Sequence, residues 1–189
     1  MKITLGIPCN RTVQAETMQS LLDMIAKSEH DFHFVIATQG YTIAENRTLI
    51  AVRAIENKSD YLLFIDDDMV FPPNTLNRLL SREKDIIGIP YYARVLPRKS
   101  VVVLENGEEL SGTVPGDLFK CQHVGTGVML IKTEVFKNII RPWFQFKTNA
   151  DGCTVQGEDA HFCEVARNKG YSIYCDSTLP VRHIGDRQF

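Results

Sequence analysis

Three consecutive carboxylates, Asp66-Asp67-Asp68, follow directly on the uncharged run Tyr61-Leu62-Leu63-Phe64-Ile65. An apolar, aromatic-rich run of this length reads as a buried strand, so the acids stand at its carboxyl end. Adjacent carboxylates repel one another and ionise at a cost unless a cation offsets them. Oxygen-only ligands suit Mg2+ or Mn2+, often shared with a substrate phosphate. In an extended chain residues i and i+2 point to the same side. Asp66 and Asp68 can therefore address one ligand complex while Asp67 points away. In open α/β sheets the carboxyl ends of strands are also where ligands bind. The alternative is an acidic strand-to-turn junction closed by Pro72-Pro73.

Other groups distant in sequence could join such a site. Gly157-Glu158-Asp159 puts two carboxylates in the first turn of a helix. Acids are favoured there by the helix dipole alone; the same field keeps a carboxylate ionised and able to act as a base. His183 lies near the C-terminus between Val181 and Ile184. It is a structural histidine or, beside a carboxylate-bound metal, a further ligand. Arg47 shares a helix face with Ile43, Ile50 and Ala54. An arginine on an apolar face is costly to bury without an anion, so it faces a nucleotide or phosphate, or else snorkels at the helix edge.

Weaker signals follow. Gly125-Thr126-Gly127 lets the backbone come close to a ligand, or makes a plain turn. Tyr91, Tyr92, Arg94, Arg98 and Lys99 line a loop. Its tyrosines could stack on a sugar or base and its cations meet an anionic acceptor, or the whole loop is simply solvated. Trp143-Phe144 is either a sugar platform or part of the core.

The elements that must position these residues alternate through the first half. A strand from Ile3 ends at Pro8. Met18, Leu21, Leu22 and Ile25 follow the spacing of a helix packed on a sheet. A strand covers Phe32 to Ala37 and closes at Thr38-Gln39-Gly40. A helix runs from Ile43 to Asn57, and the strand at 61–65 is followed by a short helix from Asn74 to Ser81 and a strand at Ile86–Ile89. Such alternation argues a mostly parallel sheet covered on both faces. The second half is less regular. Strands are expected at Val101–Leu104, Gly127–Ile131 and Tyr171–Tyr174, and helices at Thr133–Asn138 and Asp159–Lys169. Asn106-Gly107 is a hairpin signal, and Gly170 ends the last helix.

At 189 residues the chain fits one domain, with a nucleotide-binding half over about 1–90 and an acceptor half over about 91–189. Folding at this size buries roughly 70% of the surface. A net charge of -2 offers no basic stripe for a nucleic acid. No apolar run of about 18 residues suggests a membrane span. Met1-Lys2-Ile3-Thr4-Leu5 enters a strand and does not read as a signal peptide. The five cysteines include no CxxC pair, so neither a disulfide framework nor a zinc ribbon is indicated, and a reduced, cytoplasmic setting is expected.

In this order the features resemble a GT-A-fold glycosyltransferase, nearest the large family 2 type. The matching stretches are Leu5-Gly6-Ile7-Pro8, Ala44-Glu45-Asn46-Arg47, Phe64-Ile65-Asp66-Asp67-Asp68, Gly125 to Ile131, Gly157-Glu158-Asp159 and Val181-Arg182-His183-Ile184-Gly185. The resemblance spans nearly the whole chain and includes a DxD motif. It implies a UDP- or GDP-sugar donor across the first three strands. Pro8 and Asn10 would lie near the base, with Gln39 and Arg47 close by. Asp66 would face the ribose, with Asp67 beside it. Asp68 would hold Mn2+ or Mg2+ on the diphosphate, with His183 and Asp66 completing the metal site. Asp159 would be the base of an inverting reaction and Glu158 would contact the acceptor. Tyr91, Gly125, Thr126, Gly127 and Trp143 would border the sugar and an acceptor that is a glycan, lipid or protein.

Thr38-Gln39 stands where many such enzymes carry an acid for the base, which leaves the nucleotide open. Retaining members share the DxD and the tail histidine. A nucleotidyltransferase would use a similar sheet and metal, but the loop Pro8-Cys9-Asn10-Arg11-Thr12 lacks the glycines usual there. A haloacid-dehalogenase-type phosphatase would carry its aspartate string at the start of the domain. A non-catalytic nucleotide-sugar-binding module would be expected to have lost Asp68 or Asp159.

Overall fold

The computed structural model describes residues 1–9, 11–37, 42–93, 97 and 99–184. Eight strands form one sheet that draws on both halves of the chain. β1 (Lys2–Pro8) lies between β2 (Asp31–Ala37) and β3 (Tyr61–Ile65) and is parallel to both. The second half contributes the return strands. Past the two-residue strand β4 (Met69–Val70) come β5 (Ile86–Gly88), β6 (Val102–Leu104), β7 (Leu118–Val124) and β8 (Val128–Lys132). β8 separates β3 from β5 and is antiparallel to both. Two short strands, β9 (Lys147–Thr148) and β10 (Thr154–Gln156), pair with each other outside the sheet. β11 (Ile173–Asp176) runs parallel to β5, then β7 and β6 follow with alternating direction. The pairings make β2, β1, β3, β5, β11 and β6 point one way, and only β7 and β8 the other. The ends of β1, β3, β5 and β11 therefore open on one side.

Alternation along β3 divides the core. Leu62 and Phe64 face α2 (Ile43–Glu56), α4 (Thr133–Asn138) and α5 (Glu158–Asn168), meeting Ile50, Ala54, Phe136 and Phe162. Leu63 and Ile65 face the opposite side with Leu21 and Met24 of α1 (Ala15–Ala26) and Leu76 and Leu79 of α3 (Thr75–Ser81). Both faces of β3 are dry, which is why the run carries no polar alternation. No helix among the described residues is long and apolar enough to cross a membrane. All five cysteines are free.

Two expectations about elements need correction. Met18 and Leu22 are exposed, and Thr17, Ser20, Leu21 and Met24 take the buried face of α1. That set has the same helical spacing, turned by one residue. Its hydroxyls are satisfied: Thr17 Oγ1 donates to Asp67 O (3.2 Å) and Ser20 Oγ to Glu16 O (3.0 Å). With the Gln14 N–H also donating to Asp67 O (2.8 Å), the start of α1 is clamped to the acidic turn after β3. The tail, expected to be irregular, contains β12 (Arg182–His183), which pairs antiparallel with β4. The Ile184 N–H then donates to Asp68 O at 2.7 Å.

Beside the same end of the sheet, Asp176 is wholly buried at the end of β11. It accepts from Arg82 Nε (2.5 Å), Arg78 Nε (3.2 Å) and the Thr178 N–H (2.9 Å). Burial pushes its carboxyl upward, but Arg82 and Thr178 outweigh it and hold the pKa below the usual carboxylate value. A lowered folded-state pKa stabilises the fold above the unfolded value of about 3.9, and that contribution disappears as pH falls through the folded value. Asp176→Asn is expected to cost about 3 kcal/mol at neutral pH. The gap from wild type should narrow below about pH 4. Urea unfolding at several pH values reads both effects.

Candidate active site

Arg47 is the hub of the open end of the sheet. It lies on the buried face of α2, a helix started by a capping box in which Thr42 and Glu45 bond each other's backbone. Its side chain is only 5% exposed. Nη2 donates to Asp66 Oδ1 at 2.7 Å and Nη1 donates to Glu158 Oε1. The anion that a buried arginine requires is thus supplied by the chain itself, from the end of β3 and the first turn of α5. Glu158 is buried with it. Three elements distant in sequence are fastened at one guanidinium, whose Nε has no partner among the described residues.

Asp68 and His183 form a second centre. β4–β12 pairing brings the tail back across the acidic turn, and His183 Nε2 lies 3.9 Å from Asp68 Oδ1. His183 Nδ1 is 2.8 Å from the carbonyl oxygen of Tyr92. A carbonyl only accepts, so Nδ1 carries a hydrogen, and Nε2 is the ring nitrogen on the Asp68 side. Such a carbonyl-oriented imidazole beside a carboxylate has the form of a metal-binding pair. Among the described residues no group of three histidine, cysteine or acidic side chains is placed to hold a metal. A cation held by this pair would have to take its remaining ligands from outside these side chains.

Tyr91 sits beneath this centre. It is buried, its ring packs edge-on against His183 with centroids 4.7 Å apart, and its hydroxyl accepts from the Gly127 N–H at 2.9 Å. A Cβ at Gly125 would lie 2.4 Å from the Tyr91 hydroxyl oxygen, and one at Gly127 2.6 Å from it. The two glycines thus answer to the close approach of Tyr91. Burial, then Asp66 and Asp159, push the Tyr91 phenol well above its ordinary value.

Asp159 follows Glu158 in the first turn of α5 and is partly open, its side chain 26% exposed. Oδ1 accepts from the Ala160 N–H at 2.7 Å and lies 3.5 Å from His123 Nε2. Burial is the largest influence and raises its pKa. His123, Arg47 and the Ala160 N–H together overcome it, so the carboxyl is held below the usual range. The described side chains meeting here include the carboxylates of Asp66, Asp68, Glu158 and Asp159 against the guanidinium of Arg47. That excess of negative charge favours a divalent cation before any phosphate arrives.

Some expected site residues lie elsewhere. Trp143 is 2% exposed, donates from Nε1 to Ile139 O (3.2 Å) and packs on Phe136. With Phe144 stacked on Phe162, it belongs to the core and offers no platform for a sugar. Asp67 acts on Cys9, whose thiol is pushed up by burial, then by a hydrogen bond to Asp67 and by its charge. Pro8 is buried at the end of β1 and Thr126 is buried between the glycines. Asn10, Gln39, Arg94 and Arg98 lie outside the described residues. His123 carried no sequence signal, because β7 is a mixed-polarity strand, Leu-Phe-Lys-Cys-Gln-His-Val, that periodicity does not reveal.

No protein-family model matches the chain, and no curated protein matches it by sequence. Solved structures do. The chain is similar to A197 from STIV at 22% identity and a TM-score of 0.69, over 98% of this chain and 87% of that one. It is similar to the inositol-1-phosphate CTP transferase from T. maritima at 14% identity and a TM-score of 0.56, over 97% and 88%. It is similar to GalNAc-T7, solved with UDP, GalNAc and Mn2+, at 13% identity and a TM-score of 0.57. There 97% of this chain matches 44% of the longer one, so this chain spans less than half of it. The likeness is one of fold, and the fold is GT-A.

Proposed function

We propose that the chain is a metal-dependent glycosyltransferase that moves a sugar from a nucleoside diphosphate sugar to an acceptor hydroxyl with inversion. The observation that carries this reading is the meeting, at one end of a GT-A sheet, of the Asp68–His183 pair and the ionised Asp159. GalNAc-T7, of the same fold, was solved with UDP, GalNAc and Mn2+, which supports a nucleotide-sugar donor and a divalent metal.

Asp68 and His183 would hold Mn2+ or Mg2+. The ion would offset the charge that builds on the departing diphosphate. Arg47 keeps Asp66 at the end of β3, where its outer oxygen can meet the ribose. Pro8, with Asn10 and Gln39, would border the base, UDP or GDP. Asp159 accepts the proton of the acceptor hydroxyl as that oxygen bonds the anomeric carbon. The bond from that carbon to the diphosphate breaks, and its electron pair leaves with the diphosphate. A carboxylate kept ionised is competent for that role. Glu158, bound to Arg47, seats the first turn of α5 and so aims Asp159; its burial makes it a positioning group. Tyr91, with Gly125, Thr126 and Gly127 packed on it, forms the floor beneath the metal pair.

A nucleotidyltransferase is the second reading, favoured by the likeness to the CTP transferase. Products separate the two. With Mn2+ and a panel of UDP- and GDP-sugars, a glycosyltransferase releases nucleoside diphosphate. A nucleotidyltransferase releases pyrophosphate from a nucleoside triphosphate and a sugar phosphate. A thermal-shift screen of the same panel selects the donor, since a ligand at 100 times its Kd stabilises by about 2.7 kcal/mol. Diphosphate release with inverted anomeric configuration is the expected result; pyrophosphate release would transfer the assignment to the second reading.

A further inference from the structure

We propose that His123 is a positioning residue for Asp159, paired with it so that one carboxylate oxygen is held and the other is left for a proton donor. The inference rests on the reading of Asp159 as the base and extends it to a residue on a different element. His123 projects from β7, antiparallel to β6 at Val103, and its Nε2 comes to 3.5 Å from Asp159 Oδ1. Nε2 is buried and makes no hydrogen bond in this state. A buried ring nitrogen without a partner costs free energy, and the Asp159 carboxylate lies within 3.5 Å of it.

The carboxylate is constrained from the other side as well. The Ala160 N–H already binds Oδ1, so His123 and the helix start converge on one oxygen. Other ionisable groups acting on or near Asp159 are Arg47 from α2, Tyr91 from the segment after β5, and Glu158 and Cys163 from its own helix. Arg47 is committed to Asp66 and Glu158, Tyr91 is held protonated by burial, and burial pushes the Cys163 thiol up. His123 is therefore the uncommitted ring that faces Asp159 from a different element.

The test needs no substrate. Long-range 1H–15N spectra follow the imidazole of His123 through pH 5–8, its signal identified by its loss in His123→Gln. In Asp159→Asn the His123 midpoint is expected to differ from that of the wild type, because the carboxylate it faces has gone. The reciprocal arm follows the carboxyl carbon of Asp159, whose midpoint should rise in His123→Gln, because His123 is among the groups that hold it down. If His123→Gln does not fold, the Asp159→Asn arm still decides. A His123 midpoint that is the same with Asp159 and with Asn there overturns the pairing. Failure of the base assignment has a separate signature: transfer at the wild-type rate by Asp159→Asn, whatever His123 does. Once a donor is found, His123→Gln should move the acid limb of the pH–rate profile upward with donor KM unchanged, which a purely packing role would not do.

Discussion

Asp159→Asn is expected to lower the rate of sugar transfer about 10²–10⁴-fold while donor binding survives. The substitution keeps size and the Ala160 contact and removes the charge, and with it the ability to take a proton. Asp159 is held ionised, is partly open, and is not one of the two carboxylates bound to Arg47. It is also separate from the Asp68–His183 pair. Loss of rate should thus appear in kcat, with the nucleoside diphosphate affinity near that of wild type. The product of the wild-type enzyme should show inverted configuration by NMR. Near-normal transfer by the Asn variant, or retained configuration, would remove Asp159 from the mechanism while leaving the metal pair and the fold in place.

The second large effect concerns stability. Arg47→Met removes the guanidinium and leaves Asp66 and Glu158 without their partner at a site whose arginine side chain is 5% exposed. Breaking a buried pair by deleting one member costs about 3–5 kcal/mol, because the remaining charge is stranded. For a chain of this length that corresponds to a fall in Tm of roughly 10 °C. Donor affinity should decline as a consequence, since Asp66 loses its anchor. Raising the pH should deepen the loss, because the two stranded carboxylates repel each other most when both are ionised. A variant that melts with wild type but fails to bind donor would mean that Arg47 meets the phosphate directly and that its two carboxylate bonds are incidental.

Arg47 illustrates how far the sequence carried. Its place on an apolar helix face leaves two readings, an arginine facing a nucleotide or phosphate or one snorkelling at the helix edge, and the structure shows a third, an anion supplied by Asp66 and Glu158. Glu158 lies 111 residues away, and no periodicity predicts a contact at that separation. The strand at 61–65 and its acids were legible because a buried strand ending in carboxylates is a local pattern. The same was true of the start of α5. Gly125 and Gly127 were legible as a close approach, yet what approaches is Tyr91. Tyr91 itself was read as a surface stacking residue because burial of a loop tyrosine depends on tertiary packing. The aromatic pair Trp143-Phe144 could be core or platform from sequence, and the contacts with Phe136 and Phe162 make it core.

His183 and His123 mark the other limit. The tail histidine stood out only as a lone imidazole, and its meaning comes from the two-residue pairing of β12 with β4 that sets it against Asp68. Pairing of such short strands has no sequence signature. β7 was missed because its polar and apolar residues do not alternate cleanly, and its histidine went with it.

The central claim is metal-dependent binding of a nucleoside diphosphate by Asp68 and His183. It is tested most directly by calorimetric titration of UDP and GDP into the wild-type chain, Asp68→Ala and His183→Ala, each with and without Mn2+. The account predicts that one of the two diphosphates binds the wild type tightly only when Mn2+ is present. That Mn2+ dependence should vanish in Asp68→Ala and weaken in His183→Ala, with all three proteins melting within a few degrees of one another. Binding that is indifferent to Mn2+, or equally metal-dependent in both variants, would contradict it.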